Sequence, residues 1–138
     1  MNLIGKIIDK FAADFKKLGD DSVGVISPYS AQIHELKHNL QGRKYFPSLE
    51  IQTVDGFQGR EKDVIIFSAV RSNAKQIFGF LNDKRRVNVS LSRAKHCLII
   101  VGNATMMQGN PIWAKIVKYF KTHDAIFNEK FEKIGASF

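Results

Sequence analysis

The chain has 138 residues, about the size of one ordinary domain, and 44% of them are hydrophobic, which is enough for one packed core. Its formal net charge of +8 favours an anionic partner such as RNA, DNA, a nucleotide or an acidic membrane face, although a basic surface without a partner has the same composition. No apolar run approaches the roughly 18 residues of a membrane span, and the N-terminus lacks a signal-peptide core, so we expect no membrane partner.

The first third of the chain predicts a helix, a strand and a second helix. Apolar residues recur at helical spacing over residues 3–18, which predicts an amphipathic helix that ends at Gly19. The run VGVIS, residues 23–27, predicts a short buried strand. Pro28 suits the first turn of a helix, which we expect to continue over residues 29–40.

The middle of the chain predicts two strands separated by a glycine-rich turn. EIQTV, residues 50–54, has the composition of a strand, and the turn DGFQGRE follows it. DVIIFSAV, residues 63–70, is apolar almost throughout, as expected where both faces of a sheet are covered. The segments 41–49 and 71–83 are predicted as loops.

The last part of the chain predicts helices around a fourth strand. Residues 84–94 predict a helix despite their valines, and HCLIIVG, residues 96–102, predicts a fourth buried strand. A short helix over 103–108 and a longer one from Pro111 to Phe120 follow. Together these elements predict an α/β domain with a mainly parallel sheet and helices on both faces.

Ligands of such folds bind at the carboxyl ends of the strands. We therefore expect Tyr29, the turn from Gly56 to Glu61, and Arg71 to lie at that end of the sheet. The single cysteine, Cys97, cannot form an internal disulfide, and no Cys/His cluster has the spacing of a metal site. This usage fits a reducing intracellular compartment, cytoplasmic or nuclear, and Cys97 is expected to be a buried strand residue.

Chemistry-bearing residues concentrate in three stretches, the first of which is QTVDGFQGREKDVIIFSAVRS. Gly56 and Gly59 allow a sharp turn and close approach to a ligand, and the Glu61 carboxylate can accept hydrogen bonds from ribose hydroxyls or order a neighbouring loop. Thr53 offers a short polar group at a strand end. A plain loop with two turn glycines and a surface glutamate has the same sequence features.

The second stretch is GFLNDKRRVNVSLSRAKHCLIIVG, where cations surround one predicted helix. Arg86 and Arg93 are expected to share a helix face, and an arginine held on a helix can present a planar fork to phosphate oxygens. A solvated basic helix face is the alternative. In the third stretch, VGVISPYSAQ, polar groups can donate to a phosphate chain, or Ser27 can simply cap the helix that follows.

In this order the three stretches resemble motifs V, VI and IV, respectively, of superfamily 1 helicases, and they are most similar to the Upf1-like group, superfamily 1B. VDGFQGREKD followed by NVSLSRAK carries the resemblance, which covers residues 1–123, while residues 124–138 form a tail of unclear role. The resemblance implies the second, C-terminal RecA-like domain of an ATP-dependent helicase. In that family ATP with Mg²⁺ lies between two RecA-like domains.

The resemblance also implies residue roles. Glu61 contacts the nucleotide, Gln58 and Gly59 shape its loop, and Arg93 is the arginine finger that neutralises charge on the γ-phosphate during transfer to water. Motif IV and the start of motif V lie along single-stranded RNA or DNA in the family. The residues that this implies for the phosphate backbone are Ser27, Pro28, Tyr29, Gln32 and Thr53.

Some family features are changed or missing. Ser92 stands where many relatives have threonine, and Lys95 stands where many have arginine, so Lys95 keeps the charge without the fork. The chain has no G-x-x-x-x-G-K-[ST] loop and no acidic magnesium motif. We therefore expect it to need the N-terminal RecA-like domain of the same parent chain, and to be inactive alone. The alternatives are a stand-alone nucleic-acid-binding module without catalysis and a purely structural domain.

Overall fold

A computed structural model of the chain describes residues 3–19, 21–40, 49–57, 59–69, 79 and 82–134. Nearly all of both predicted loops, together with Gln58 and Arg71, lies outside the described residues. The strands are β1 (Val23–Ser27), β2 (Glu50–Thr53), β3 (Lys62–Ser68) and β4 (Ala94–Val101). The helices are α1 (Leu3–Lys10), α2 (Ala12–Leu18), α3 (Ser30–Leu40), α4 (Lys84–Leu91), α5 (Ala104–Met107) and α6 (Pro111–Thr122).

The four strands form one sheet in the order β2-β1-β3-β4, and every pair is parallel. This confirms the predicted α/β class. Since all strands run the same way, their ends fall into two groups. Thr53 pairs with Ser27 at the carboxyl end of the sheet, and Lys62 pairs with Ala94 at its amino end.

Each face of the sheet carries its own core, because the apolar strands project side chains alternately to both sides. On the first face, α1, α2 and α3 cover Val25 and Ile66. On the second face, α4, α5 and α6 cover Ile26 and Ile65. Trp113 of α6 is fully buried there.

Two predicted helices end differently from expectation. The helix predicted over 3–18 is interrupted at Phe11, and Gly19 ends the second piece with a φ of 115°, in the region that favours glycine. The helix predicted over 84–94 ends at Leu91. Arg93 therefore lies beyond the helix, and the prediction that Arg86 and Arg93 share a helix face is wrong.

The prediction of a buried fourth strand is wrong for the first half of β4. Lys95, His96 and Cys97 are exposed, and the strand becomes buried only at Val101. The physical reason is position in the sheet: β4 is an edge strand, with β3 as its one neighbour among the described strands. A run of apolar residues indicates a strand but does not distinguish a central strand from an edge strand.

The described part of the tail packs against the first core. Phe131 contacts the Phe11 ring edge-on at 6.2 Å between centroids, and the Lys10 ammonium lies 4.8 Å from the centroid of the Phe131 ring. An isolated antiparallel bridge joins Phe127 to Lys133. None of the described helices has both the length and the apolar character needed to span a membrane.

Candidate nucleotide and nucleic-acid sites

The connection from β2 to β3 crosses the second face of the sheet. Phe57 is fully buried in the core of that face, and its ring occupies the space beside Gly24. A Cβ on Gly24 would lie 2.6 Å from Cζ of Phe57, so any larger residue would have to displace the Phe57 ring. Gly59 then turns the chain with a φ of 79°.

This crossing changes the location of Glu61. The sequence placed Glu61 at the carboxyl end of a strand, and that prediction is wrong, because Glu61 immediately precedes β3 at the amino end of the sheet. The turn begins at the carboxyl end and finishes at the opposite end, since parallel strands joined in sequence require a crossover. Glu61 is exposed there, as is Gly59.

Arg93 lies at the same amino end, immediately before β4. Its backbone carbonyl accepts a hydrogen bond of 3.0 Å from the Lys62 N–H, and its Nη1 donates to the carbonyl of Arg60 at 3.3 Å. Its Nε donates to the Val89 carbonyl at 3.2 Å, and its Nη2 donates to the Ser92 hydroxyl at 3.2 Å. The structure thus brings Arg93 and the residue preceding Glu61 into direct contact.

These hydrogen bonds hold the Arg93 side chain in place but do not use all of its N–H donors. Each of its three guanidinium nitrogens donates once within the described part of the chain, whereas a guanidinium has five N–H groups. The side chain is half-buried. Two further N–H groups therefore remain for an anion at the surface, in the planar arrangement that suits phosphate.

An ion-pair network supports this end of the sheet. Lys62 is almost fully buried, and its ammonium pairs with the carboxylate of Asp21 and, at 3.3 Å, with that of Glu50. The Arg60 guanidinium pairs with Glu50 and donates to the Gly56 carbonyl. Arg60 also lies over the Phe57 ring, 5.2 Å from its centroid.

The network shifts the pKa values of two of its members. Burial of Lys62 lowers its pKa, but hydrogen bonds and charges from Asp21 and Glu50 outweigh that cost, so the net pKa of Lys62 is raised. The hydrogen bond from Lys62, together with its charge, lowers the pKa of Asp21. Lys62 is therefore a permanent cation at neutral pH, and it fixes Glu50 in place for Arg60.

At the carboxyl end of the sheet, neutral hydrogen bonds organise the short link between β1 and α3. Ser27 is fully buried, and its hydroxyl donates to Oε1 of Gln32 at 2.7 Å while accepting from the Tyr29 N–H at 3.2 Å. Pro28 and Tyr29 are half-buried in the short link to α3. The buried Ser27 hydroxyl thus orients the Gln32 side chain and the Tyr29 backbone, and it is itself shielded from solvent.

The same end carries Thr53 and a charged groove. The Thr53 hydroxyl accepts a hydrogen bond of 3.2 Å from the Gly56 N–H, at the start of the crossing. Asp55 pairs with Arg86 of α4 at 3.6 Å, and both line a groove together with Asp83. Asp83 also caps α4, since its carboxylate accepts from the Arg86 N–H.

The predicted site residues thus fall into two groups at opposite ends of the sheet. Glu61, Gly59 and Arg93 lie at the amino end, whereas Ser27 and Thr53 lie at the carboxyl end with the rest of the third stretch. Sequence reasoning missed the network of Asp21, Glu50, Arg60 and Lys62. The available signal was a lysine directly ahead of the predicted strand over 63–70.

The described residues at the two ends do not include a grouping of metal-ligand side chains. Among the described residues, no three His, Cys, Asp or Glu side chains lie close enough to hold a metal ion. The amino end offers a guanidinium fork beside an exposed carboxylate, which fits the anionic phosphates and the hydroxyls of a nucleotide.

Comparison with known proteins identifies the family. Residues 1–105 match the family described as an AAA domain. The chain is 42% identical over 120 residues to Helicase sen1 of Schizosaccharomyces pombe, which covers 85% of the chain and 7% of that protein. It is 41% identical over 127 residues to Regulator of nonsense transcripts 1 of Dictyostelium discoideum, covering 87% and 10%.

A third relative aligns over a shorter region. DNA polymerase alpha-associated DNA helicase A of Saccharomyces cerevisiae is 52% identical over 89 residues, which covers 64% of the chain and 13% of that protein. The chain therefore spans between 7% and 13% of the length of these relatives. The chain belongs to this AAA-domain family, as the C-terminal RecA-like domain of the Upf1-like helicases of superfamily 1B.

Proposed function

We propose that the chain is the second motor domain of an ATP-dependent helicase that acts on single-stranded RNA or DNA. In this proposal the amino end of the sheet faces ATP, which a first RecA-like domain of the same parent chain holds on its other side. The carboxyl end follows the nucleic acid. The observation that carries the proposal is the direct contact of the Arg93 guanidinium with the Arg60 carbonyl, next to the exposed Glu61.

At the amino end, Arg93 acts as the arginine finger. Its two remaining terminal N–H groups neutralise the charge that develops on the γ-phosphate as the phosphoryl group passes to water. Arg60 is a positioning residue, because its carbonyl accepts from Arg93 while its guanidinium is fixed by Glu50. Glu61 binds the nucleotide through its carboxylate, and Gly59 sets the turn that exposes it. Gln58, which the family resemblance assigns to the same nucleotide site, lies outside the described residues.

At the carboxyl end, small polar groups contact the phosphate backbone. Tyr29, Gln32 and Thr53 are each half-buried. The Tyr29 hydroxyl oxygen is buried, so in this proposal Tyr29 contacts the strand through its ring. Pro28 fixes the backbone at the start of this segment, and Ser27 acts through Gln32. Contacts of this kind give affinity without reading the base sequence, which suits a motor that moves along its substrate.

Residues elsewhere must supply the phosphate-binding loop and the carboxylates that hold Mg²⁺. The chain has neither motif, and its described residues contain no metal-ligand grouping. When bound, Mg²⁺ neutralises phosphate charge and orients the phosphates. We therefore predict that the 138-residue chain alone does not hydrolyse ATP, and turnover by the isolated chain at the rate of a two-domain helicase would contradict this.

A second candidate function is a stand-alone nucleic-acid-binding module that lacks catalysis. The separation of the two ends favours this candidate in one respect, since every proposed contact to the nucleic acid lies away from Arg93. The module would bind single strands in a salt-dependent manner, as would the motor domain. The two proposals differ in whether a P-loop lies upstream in the same open reading frame, which sequencing of the complete gene establishes.

The test of the motor proposal is Arg93→Ala in a protein that contains this domain together with its first RecA-like domain. We expect ATP turnover to fall by roughly three orders of magnitude or more, as for other arginine fingers, while nucleotide binding stays within a few-fold. Single-turnover hydrolysis and fluorescent-nucleotide titration measure the two quantities. An equal loss of both would make Arg93 a ground-state or structural contact and would remove the basis for a finger.

A further inference from the structure

The outer face of α6 combines an exposed aromatic ring with basic side chains. Trp113 and Val117 bury one side of this helix, and at 3.6 residues per turn the exposed residues fall in a single stripe on the opposite side. This stripe, here called the α6 outer face, consists of Lys115, Lys118, Tyr119, Thr122 and His123. None of the residues assigned to ATP or to the carboxyl end belongs to it.

Tyr119 is the centre of the α6 outer face. Its side chain is 61% exposed, the largest such value among the large hydrophobic residues of the described chain. The His123 ring lies against it, 4.2 Å between centroids at an angle of 31°, and Nδ1 of His123 donates to the Tyr119 carbonyl at 2.8 Å. Phe120 contacts the Tyr119 ring edge-on at 6.0 Å. The tyrosine ring is thus supported by two neighbouring rings while most of the residue remains exposed to solvent.

The positive charge of the α6 outer face favours an anionic partner. Lys115 and Lys118 are neighbours on the helix surface, and no ion pair compensates either of them within the described residues. Residues 111–123 contain no aspartate or glutamate, and Asp124 follows directly after them. Like charges on neighbouring positions of a helix surface repel each other, and a bound anion reduces that repulsion. An open aromatic ring beside paired cations matches a nucleobase and its flanking phosphates.

We propose that the α6 outer face is a second binding surface for single-stranded nucleic acid, with a base stacked on Tyr119 and phosphates on Lys115 and Lys118. The helix begins beside the carboxyl end of the sheet, where Asn110 donates to Asn82 at 2.6 Å. At 1.5 Å per residue, the α6 outer face lies about 8–20 Å from Asn110 along the helix axis, a distance that a few nucleotides span. The surface lengthens the contact proposed at the carboxyl end and can be tested without it.

The experiment is a fluorescence-anisotropy titration of the 138-residue chain with labelled 20-mers of oligo(U) and oligo(dT) at several salt concentrations. Tyr119→Ala is expected to weaken binding at least about fivefold, the lower limit for loss of one stacked base, whereas Tyr119→Phe keeps the ring and retains affinity. Lys115→Gln with Lys118→Gln should reduce the slope of log K against log salt by about 1.4, or roughly 0.7 for each phosphate contact.

The matched control removes two charges from a different face. Lys16→Gln with Lys17→Gln, on the exposed side of α2, should leave the salt slope unchanged. Emission of the buried Trp113 verifies folding of every variant. Thr53→Val weakens the proposed nucleic-acid contact at the carboxyl end alone, so its effect on affinity measures that contact and not the α6 outer face.

Three results would overturn the proposal. The first is unchanged affinity in Tyr119→Ala, and the second is an equal effect of the control lysines. The third is no binding of either oligonucleotide at protein concentrations up to about 100 μM, the weak limit of non-specific affinity. Binding to vesicles that contain phosphatidylserine is measured in parallel. If Tyr119→Ala weakened binding to the vesicles but not to the oligonucleotides, the α6 outer face would be assigned to a membrane surface instead.

Discussion

The two ends of the parallel sheet are organised by different interactions. At the amino end, Lys62, Glu50 and Arg60 form ion pairs that connect the starts of β2 and β3, and Arg93 joins them through a backbone carbonyl. At the carboxyl end, the side chains of Ser27 and Gln32 meet through neutral hydrogen bonds.

This difference suits two different tasks. A group that stabilises a developing charge must be in place before the reaction, because reorganisation during the reaction would cost catalytic power. Ion pairs that are partly removed from water give that rigidity. A surface that moves along a phosphate backbone benefits from neutral donors, whose contacts are weaker and are more easily exchanged. In our proposal, the amino-end network with its buried Lys62 holds the groups that face ATP, and the neutral bonds after β1 hold the groups that face nucleic acid. The Asp55–Arg86 ion pair lies beside them in the charged groove of the carboxyl end.

The largest expected effect on stability comes from Lys62→Met, which removes the centre of the amino-end network. The substitution keeps the length of the side chain but leaves Glu50 with Arg60 as its only partner in the network. We expect a loss of about 1–3 kcal/mol in the free energy of unfolding, less than for a fully buried pair because Asp21 is exposed. Urea unfolding followed by Trp113 emission measures it. The exposed control Lys16→Met should change stability by less than about 0.5 kcal/mol.

The same network gives the amino end a distinct pH dependence. The raised pKa of Lys62 means that its stabilisation is fully present below the unfolded value of about 10.4 and is lost as the pH rises through the folded value. The free energy of unfolding of the unsubstituted chain should therefore fall more steeply above that pH than that of Lys62→Met. Ser27→Ala removes only neutral hydrogen bonds, at the carboxyl end, and should retain the steep fall. Identical alkaline slopes for all three proteins would show that the network does not stabilise the fold.

The crossing that links the two ends can be tested with Gly24→Ala. The new methyl group would meet the Phe57 ring, and the resulting overpacking should cost about 1–3 kcal/mol in stability. Phe57→Leu creates space at the same point, so the two substitutions should be non-additive in a double-mutant cycle, with the pair less destabilised than the sum. Additive effects measured by urea unfolding would mean that the turn does not cross the sheet at Gly24.

A smaller effect is expected at Cys97, in the exposed first half of β4. Because the thiol reaches solvent, a maleimide should label it in the folded chain within about tenfold of the rate in urea. Partial burial raises its pKa, so the labelling rate should keep increasing at alkaline pH as the reactive thiolate forms. Protection of the thiol by the full unfolding equilibrium would restore the original prediction of a buried strand residue.

Local sequence patterns predicted most of the fold. The strand over 23–27 has the predicted limits, and the helix expected at Pro111 begins there, because Asn110 caps it and proline suits its first turn. Such features depend on a few neighbouring residues. The apolar periodicity of the first helix does not indicate its interruption at Phe11, where φ is −103° and ψ is 14°.

Tertiary relations explain what sequence reasoning missed at the site. Glu61 was assigned to the wrong end of the sheet because the whole turn was placed after β2, whereas its last residues have already crossed a face of the sheet to the start of β3. The partners of Lys62 are separated from it by 41 residues in one case, so the network is invisible in the local sequence. The motif resemblance assigned Arg93 and Glu61 to the same nucleotide. The contact between Arg93 and the Arg60 carbonyl became evident only from the structure.

We propose that the amino end of the sheet acts on ATP and the carboxyl end binds nucleic acid. Paired measurements on Arg93→Ala and Tyr29→Leu, in a protein with both RecA-like domains, test this separation most directly. For each variant, single-strand affinity and ATP turnover at saturating nucleic acid are measured under the same conditions. We predict that Arg93→Ala abolishes turnover and leaves single-strand affinity unchanged, whereas Tyr29→Leu weakens affinity and leaves saturated turnover within a few-fold. If either variant reduced both quantities equally, the two ends would not have separate functions and the account would be contradicted.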